Sequence, residues 1–225
     1  MRKLNLLKSY PNSNHPRIVS SNTRTIKHRI VASYRDKNFF DGDRNCGYGG
    51  FKYDGRWSKI VKDIFNKYSL KNNCNFLQLN CEKGFLIHDL KRLYPNVNVL
   101  GIETSDYAIK NCIKTTKKNI KKSIYTKLNL QNSSFDFVLA IGVVYAFNIS
   151  DAIKSIKEII RVSKGKSFIT LGSYENEEDY NLFKDWTLLG TTVLKEKEWK
   201  EVLKHCNYKG DYYFTNVKSL NLIRK

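Results

Sequence analysis

The stretch "NFLQLNCEKGFL" (75–86) reads as a buried strand, a turn and the start of a helix. An α/β nucleotide-binding protein places its glycine-rich loop at such a junction. Here the turn holds one glycine, Gly84, and is otherwise filled by Gln78, Asn80, Cys81 and Glu82. About 20 residues further on, Glu103 closes the next apolar run, where an acid can accept hydrogen bonds from both hydroxyls of a ribose. "YTKL" (125–128) and "IGVVY" (141–145) fall at two further strand ends. The first can offer backbone groups to an adenine edge, and the second sits where the order of the strands should reverse. Taken singly, each has a plain alternative, such as a solvated acid at a strand end. In this order and spacing they point to one nucleoside-binding rim.

The elements that carry these residues follow from the periodicity. Trp57, Ile60, Val61, Ile64, Phe65 and Tyr68 make one apolar helical face. Strands are expected at 75–79, 96–103, 123–128, 134–143, 166–173, 211–217 and 219–224. Helices are expected at 85–94, stopped by Pro95, at 106–118 with Ser105 as N-cap, at 151–163 before Gly165, and at 195–207. Alternation of this kind predicts an α/β fold. It is a doubly wound, mostly parallel, seven-stranded Rossmann-like sheet with helices on both faces and ligands at the carboxyl ends of its strands. Residues 1–33 are polar and irregular, running over the surface into a short helix. An aromatic and glycine-rich loop, "YRDKNFFDGDRNCGYGGFKYDGRW" (34–57), follows them. The division expected is therefore an N-terminal extension and cap over 1–56 and the main domain over 57–225.

Composition narrows the choices. With 225 residues, 41% of them hydrophobic and 13% aromatic, the chain can build one well-packed domain. No apolar run approaches the roughly 20 residues of a membrane span, and the N-terminus has no h-region. Cys46, Cys74, Cys81, Cys112 and Cys206 are scattered without CxxC pairing, which reads as reduced thiols in a cytoplasmic protein with no metal site. Forty Lys and Arg against 21 Asp and Glu give a net charge of +19, enough to attract polyanions. Apart from "KKNIKK" (117–122) the basic residues are spread along the chain. A small or carrier-bound acidic substrate therefore ranks ahead of a nucleic acid.

The run from about residue 50 to 215 resembles the class I S-adenosylmethionine-dependent methyltransferases, and among them bacterial members often met among surface-polysaccharide and small-metabolite genes. The matching stretches are "GIETSDYAI" (101–109), "SSFDFVLAIGVVY" (133–145), "IKEIIRVSKGKSFI" (156–169) and "EWKEVLKHCNYKGDYYF" (198–214). The resemblance implies S-adenosylmethionine as cofactor. Its contacts would come from Gln78, Asn80, Cys81, Glu82, Gly84, Glu103, Thr104, Thr126, Lys127, Leu128, Ile141 and Gly142. Tyr53 and Arg56 would fold across it, the guanidinium facing the methionine carboxylate or else pairing with Asp54. The family motif has an acid where this chain has Gln78, and glycines where it has Asn80 and Glu82. Gln78 keeps an acceptor but loses charge, at about 1–2 kcal/mol for a direct contact. Asn80 is the mildest replacement for a glycine at positive φ. Together the changes weaken affinity by about 30-fold to several hundred-fold, within reach of other contacts to offset.

Methyl transfer from a sulfonium needs alignment more than acid–base chemistry. Tyr145 stands where relatives carry a histidine or acid, and is the one candidate catalytic residue, as an orienting group. Arg44, Tyr48, Tyr174 and Trp186 are candidate contacts to a small-molecule, glycan-linked or phosphate-bearing acceptor. Three functions remain open in this order. The first is methyl transfer to an oxygen of an anionic acceptor. The second is a non-catalytic methyltransferase-like subunit supporting a protein partner. The third is RNA methylation.

Overall fold

A computed structural model describes residues 1–11, 15–20 and 22–225. In chain order its elements are β1 (Arg17–Val19), α1 (Ile26–Ser33), α2 (Lys37–Asp41), α3 (Trp57–Tyr68) and β2 (Asn75–Leu79). Next come α4 (Phe85–Leu93), β3 (Asn98–Glu103), α5 (Asp106–Lys110), β4 (Ile120–Lys122), β5 (Phe137–Ala140), α6 (Ile149–Val162) and β6 (Ser167–Tyr174). The chain ends with α7 (Glu177–Trp186), β7 (Leu194–Lys195), α8 (Glu196–His205), β8 (Asp211–Thr215), α9 (Val217–Leu220) and β9 (Leu222–Arg224).

Seven strands form one sheet in the order β4-β3-β2-β5-β6-β7, with β8 also paired to β6. Every ladder among the described strands is parallel. Both sheet faces are covered, and the strand residues divide between them by the two-residue period. Phe76, Phe137, Leu139 and Phe168 meet Ile60, Ile64 and Phe65 of α3 and Leu86, Ile87 and Leu90 of α4. Leu77, Val138, Ala140, Ile169 and Leu171 meet Ala152, Ile156 and Ile159 of α6 and Trp199 and Leu203 of α8. The chain runs outward from β2 through β3 to β4 and then returns to β5. The β2/β5 junction is thus the point where the winding reverses and the crevice opens.

Three expectations shift. The helix from 106 stops at Lys110, where the Asn111 side chain donates to the Tyr107 carbonyl. Ile113 N–H then bonds the Lys83 carbonyl, and a 3₁₀ turn covers Lys114–Asn119. β-Branched Thr115 and Thr116 favour that break. The third strand lies at 120–122 rather than 123–128. After its last bond, Ser123 N–H to the Glu103 carbonyl, Tyr125 and Leu128 turn into the core instead of extending the ladder. The stretch 219–224 is not in the main sheet. Asn216 caps α9, Asn221 ends it at φ 51°, and β9 pairs with β1 in a separate two-stranded sheet. Leu194–Lys195 supplies the seventh strand instead.

That two-stranded sheet ties the N-terminal segment to the C-terminus, and Leu6 lies in the α3/α4 core. The chain expected to run irregularly into a short helix holds β1 as well, the helix being α1, and residues 12–14 and 21 lie outside the described residues. Among the described residues no helix is long and apolar enough to cross a membrane. Trp199 is fully buried, and its indole N–H donates to the Gly172 carbonyl at 2.7 Å. Trp199→Phe keeps most of the packing but removes that hydrogen bond. It should cost about 1–3 kcal/mol in urea unfolding, and a loss below about 0.5 kcal/mol would contradict the assignment.

Candidate functional site

The turn after β2 keeps a loop geometry suited to glycine without the glycines. Asn80, Glu82 and Gly84 all have left-handed backbones, with φ of 59°, 53° and 76°. Asparagine tolerates that region; glutamate does so at about 1–2 kcal/mol. Bonds to β3 hold the shape: Cys81 N–H to the Ile102 carbonyl at 3.2 Å and Glu82 N–H to Glu103 Oε2 at 2.8 Å. Gly84 is required twice over, because a Cβ there would also lie 2.5 Å from Thr116 Oγ1.

Glu103 has no solvent exposure. Its Oε1 accepts from the backbone N–H groups of Thr104 at 2.8 Å and Ser105 at 2.9 Å, and from Arg35 Nη2 at 3.0 Å. Arg35 Nη2 also donates to Asn80 Oδ1 at 2.8 Å. The guanidinium lies against the rings of Phe39 and Phe40, and Ser105 Oγ donates to the Arg35 carbonyl. Burial by itself would lower the Arg35 pKa, but the Glu103 carboxylate beside it raises it above the ordinary guanidinium range. Besides Arg17 and Arg24, the sequence reading missed Arg35. Nothing local marks it, since its partners lie 45 and 68 positions away.

Glu82 accepts a hydrogen bond from the Tyr48 hydroxyl. Burial pushes its carboxyl up to about 7, against the pull of Arg35 and of that hydrogen bond. Among the described residues it is the only acid lining two adjoining cavities over the β2/β5 junction, of about 580 Å³ and about 280 Å³. The larger one is lined by Arg17, Arg24, Arg35, Arg44, Arg56 and Lys52. Gln78 lines the smaller, and its Oε1 is buried with no hydrogen-bond partner.

Of the residues singled out in the sequence, the cavities bring together Gln78, Asn80, Glu82, Ile141, Gly142, Tyr145, Arg44, Tyr48, Trp186 and Arg56. Arg56 is nonetheless paired with Asp54, as one of its two expected roles required, and also donates to Tyr10 at 3.0 Å. Tyr53 does not fold across the crevice, because its hydroxyl donates to Asp89 at 2.6 Å. Cys81 is buried, with its side chain against Gly101. Tyr174 packs on Tyr180 beneath α7 and lines neither cavity. Gly84, Thr104, Thr126, Lys127 and Leu128 also lie outside both linings.

The two ends of a methionine-linked nucleoside fare differently here. The orphaned Gln78 oxygen at the cavity floor fits an ammonium donor. The ribose end does not fit while Arg35 is in place, because a buried Glu103 with four donors on Oε1 and one on Oε2 cannot also accept from two hydroxyls.

The methyltransferase domain family matches residues 70–215. No protein of curated function matches the chain. Among solved structures it is similar to YcgJ of Bacillus subtilis, with 14% identity, covering 65% of this chain and 66% of that one, TM-score 0.53. It is also similar to an S-adenosylmethionine-dependent methyltransferase of Methanosarcina mazei, with 20% identity, covering 64% and 82%, TM-score 0.51. A third likeness is to a chain from a complex of the Haloferax volcanii Trm112 methyltransferase activator with a methyltransferase. There the identity is 13%, the coverage 68% and 74%, and the TM-score 0.50. The chain thus spans slightly under two thirds of the length of YcgJ.

Two outcomes are expected from this geometry. Arg35→Met strips a buried carboxylate of its cation and should cost about 3–5 kcal/mol in urea unfolding. Adding Glu103→Gln should restore part of that loss. A cost below about 1 kcal/mol would mean the pair does not form in solution. For Glu82 the unfolded carboxyl titrates near 4.5 and the folded one near 7. Between those values the folded protein holds a proton that the unfolded chain has released. This contribution is therefore full below about pH 4.5 and is lost as pH rises to about 7, a change of about 3 kcal/mol. Thermal unfolding across that range should fall less steeply for Glu82→Gln than for the wild type, and parallel curves would refute the shift.

Proposed function

This chain belongs to the methyltransferase domain family, and from that premise we propose that it transfers a methyl group from S-adenosylmethionine to an oxygen of a small or glycan-linked anionic acceptor. The observation that carries the acceptor class is the cavity of about 580 Å³ above the β2/β5 junction, with five arginines and a lysine facing one carboxyl. Its size is that of a small-molecule site.

S-adenosylmethionine supplies an electrophilic methyl on a sulfonium sulfur. The residues of this chain do the rest. Gln78 Oε1 would accept from the ammonium of the methionine end. Tyr145 lines both cavities, and burial raises its phenol to about 12. It therefore stays protonated and orients an acceptor by donating a hydrogen bond, without taking a proton. A phosphate or carboxylate oxygen is already anionic and needs no base. A hydroxyl acceptor would draw on Glu82, whose carboxyl titrates near neutrality.

The Arg35–Glu103 pair favours a second reading, a methyltransferase-like subunit that supports a protein partner and does not hold the cofactor. The Haloferax volcanii likeness, to a chain in an activator complex, is consistent with such partnership. RNA methylation rests on net charge alone and ranks third.

Calorimetric titration with S-adenosylmethionine and its demethylated product separates the first two readings. Micromolar binding by the wild type, weakened at least tenfold by Glu103→Gln, is the expected result and means that Arg35 yields its place. A folded protein that binds neither compound up to millimolar concentration would overturn the enzyme reading in favour of the supporting subunit.

A further inference from the structure

The arginines of the large cavity are not equivalent. Arg35 and Arg56 are paired with Glu103 and Asp54. Arg17, Arg24 and Arg44 gather with Trp186 around a lobe of about 200 Å³ that opens beside the large cavity. None of the three takes part in an ion pair among the described residues. The nearby carboxylate of Asp185 is engaged by Arg224 at 3.0 Å.

The three guanidiniums are anchored but not neutralised. Arg24 Nη1 donates to the Trp186 carbonyl, and its guanidinium carbon stands 4.7 Å from the centre of the Trp186 ring. Arg17 approaches the same ring at 5.9 Å from strand β1, whose pairing with β9 fixes its backbone. Arg44 Nη1 donates to the carbonyls of Gly47 at 2.7 Å and Tyr48 at 3.2 Å. Gly49, at φ 69°, leaves room for the Arg44 stem, since a Cβ there would come within 2.9 Å of Arg44 Cδ. Each arginine has five donors; the carbonyl bonds engage one nitrogen of Arg24 and one of Arg44, and the Arg17 side chain makes none among the described residues, so several donors stay available on each. Arg17 and Arg24 are half-buried, and like charges held together away from water repel. Burial first, and then Arg44, lowers the pKa of Arg17. For Arg24, burial and then Arg44, Arg17 and Arg29 lower it to about 10. An arrangement of this kind is relieved by a multivalent anion whose oxygens match the planar forks.

We infer that Arg17, Arg24 and Arg44, arrayed around Trp186, form a seat for a phosphoryl group, a phosphomonoester or diphosphate carried by the acceptor. This rests on the methyl-transfer reading only for the word acceptor; the anion seat itself does not depend on it. The recessed lobe favours a small ligand over a polynucleotide, whose backbone needs an open track of cations. The neighbouring large cavity, which Trp186 also lines, would hold the rest of that molecule.

The test uses the whole chain with no methyl donor present. Inorganic pyrophosphate and inorganic phosphate are titrated separately, followed by calorimetry and by tryptophan fluorescence, with a short single-stranded RNA as a third ligand. Saturable binding of pyrophosphate or phosphate is expected, with a fluorescence change that Trp186→Phe removes. Arg24→Gln and Arg44→Gln should each weaken it at least tenfold, and Lys122→Gln, on the outer strand β4, should not change it. Arg44 is exposed, so its variant tests the seat even where Arg24→Gln fails to fold. Stronger binding of pyrophosphate than of phosphate would identify a diphosphate ligand, and the reverse a phosphomonoester. No saturable binding, binding indifferent to both arginine variants, or binding of RNA alone would overturn the proposal. If S-adenosylmethionine binds but pyrophosphate does not, only the phosphoryl seat falls. The opposite result removes methyl transfer and leaves the seat standing.

Discussion

The carboxylate of Glu103 organises the crevice. Taking such a charge fully out of water costs several kcal/mol, and a folded protein tolerates it only where donors converge. Five do so here, from three separate parts of the chain: the Thr104 N–H and hydroxyl and the Ser105 N–H at the strand end, Glu82 in the turn after β2, and Arg35 in the N-terminal segment. One buried ion thereby fixes the strand end, the turn and the cap in relation to one another. The left-handed backbones of Asn80 and Glu82 fit the same constraint. Glu82 must turn its N–H toward Glu103, and Asn80 must bring its side-chain oxygen to Arg35.

That constraint also sets the electrostatics of the cavity. Arg35 is neutralised by Glu103 and Arg56 by Asp54, so among the described residues the unpaired positive charge of the lining falls on Arg17, Arg24, Arg44 and Lys52. Among the described residues the one acid in the lining is Glu82, and its burial favours the neutral carboxyl, which offsets less of that charge than an exposed carboxylate would. Six of the forty basic residues, spaced over positions 17–56 of the sequence, therefore meet at this crevice. Chain folding, not sequence clustering, brings the charges together.

How much of this was legible beforehand follows the range of the interactions. The strand at 75–79 and the helix at 57–68 stand where the hydrophobic pattern put them, because burial alone decides both. The Ser105 cap and the left-handed Asn80 were also readable, each being a preference of one residue for one backbone geometry. The helix from 106 was overestimated because a bond to the distant Lys83 carbonyl pulls residue 113 out of register. The exchange of Leu194–Lys195 for 219–224 as the seventh strand turns on pairing between the chain ends, which no local pattern encodes. At the site, Gln78, Glu82 and Gly142 were visible as residues at strand ends. Arg35 and Arg24 were not, since each acts through partners far away in sequence.

Arg35 and a ribose cannot share Glu103. The ribose offers two neutral hydroxyl donors in place of one charge-assisted bond, so the exchange at the carboxylate runs uphill. The displaced guanidinium must also find solvent or another anion. Arg35 is held on the other side as well, through its own carbonyl to Ser105 and through the rings of Phe39 and Phe40. Freeing Glu103 therefore means moving the segment around α2, whose Asp41 is clamped by Lys83 and Tyr107. Several contacts would have to give way together, so the gain must come from the whole nucleoside and its methionine tail rather than from the ribose. Departures from the glycine-rich pattern at 78–82 and the presence of Arg35 act in the same direction. Both would weaken the hold on such a cofactor, and both would tie its binding to the N-terminal cap.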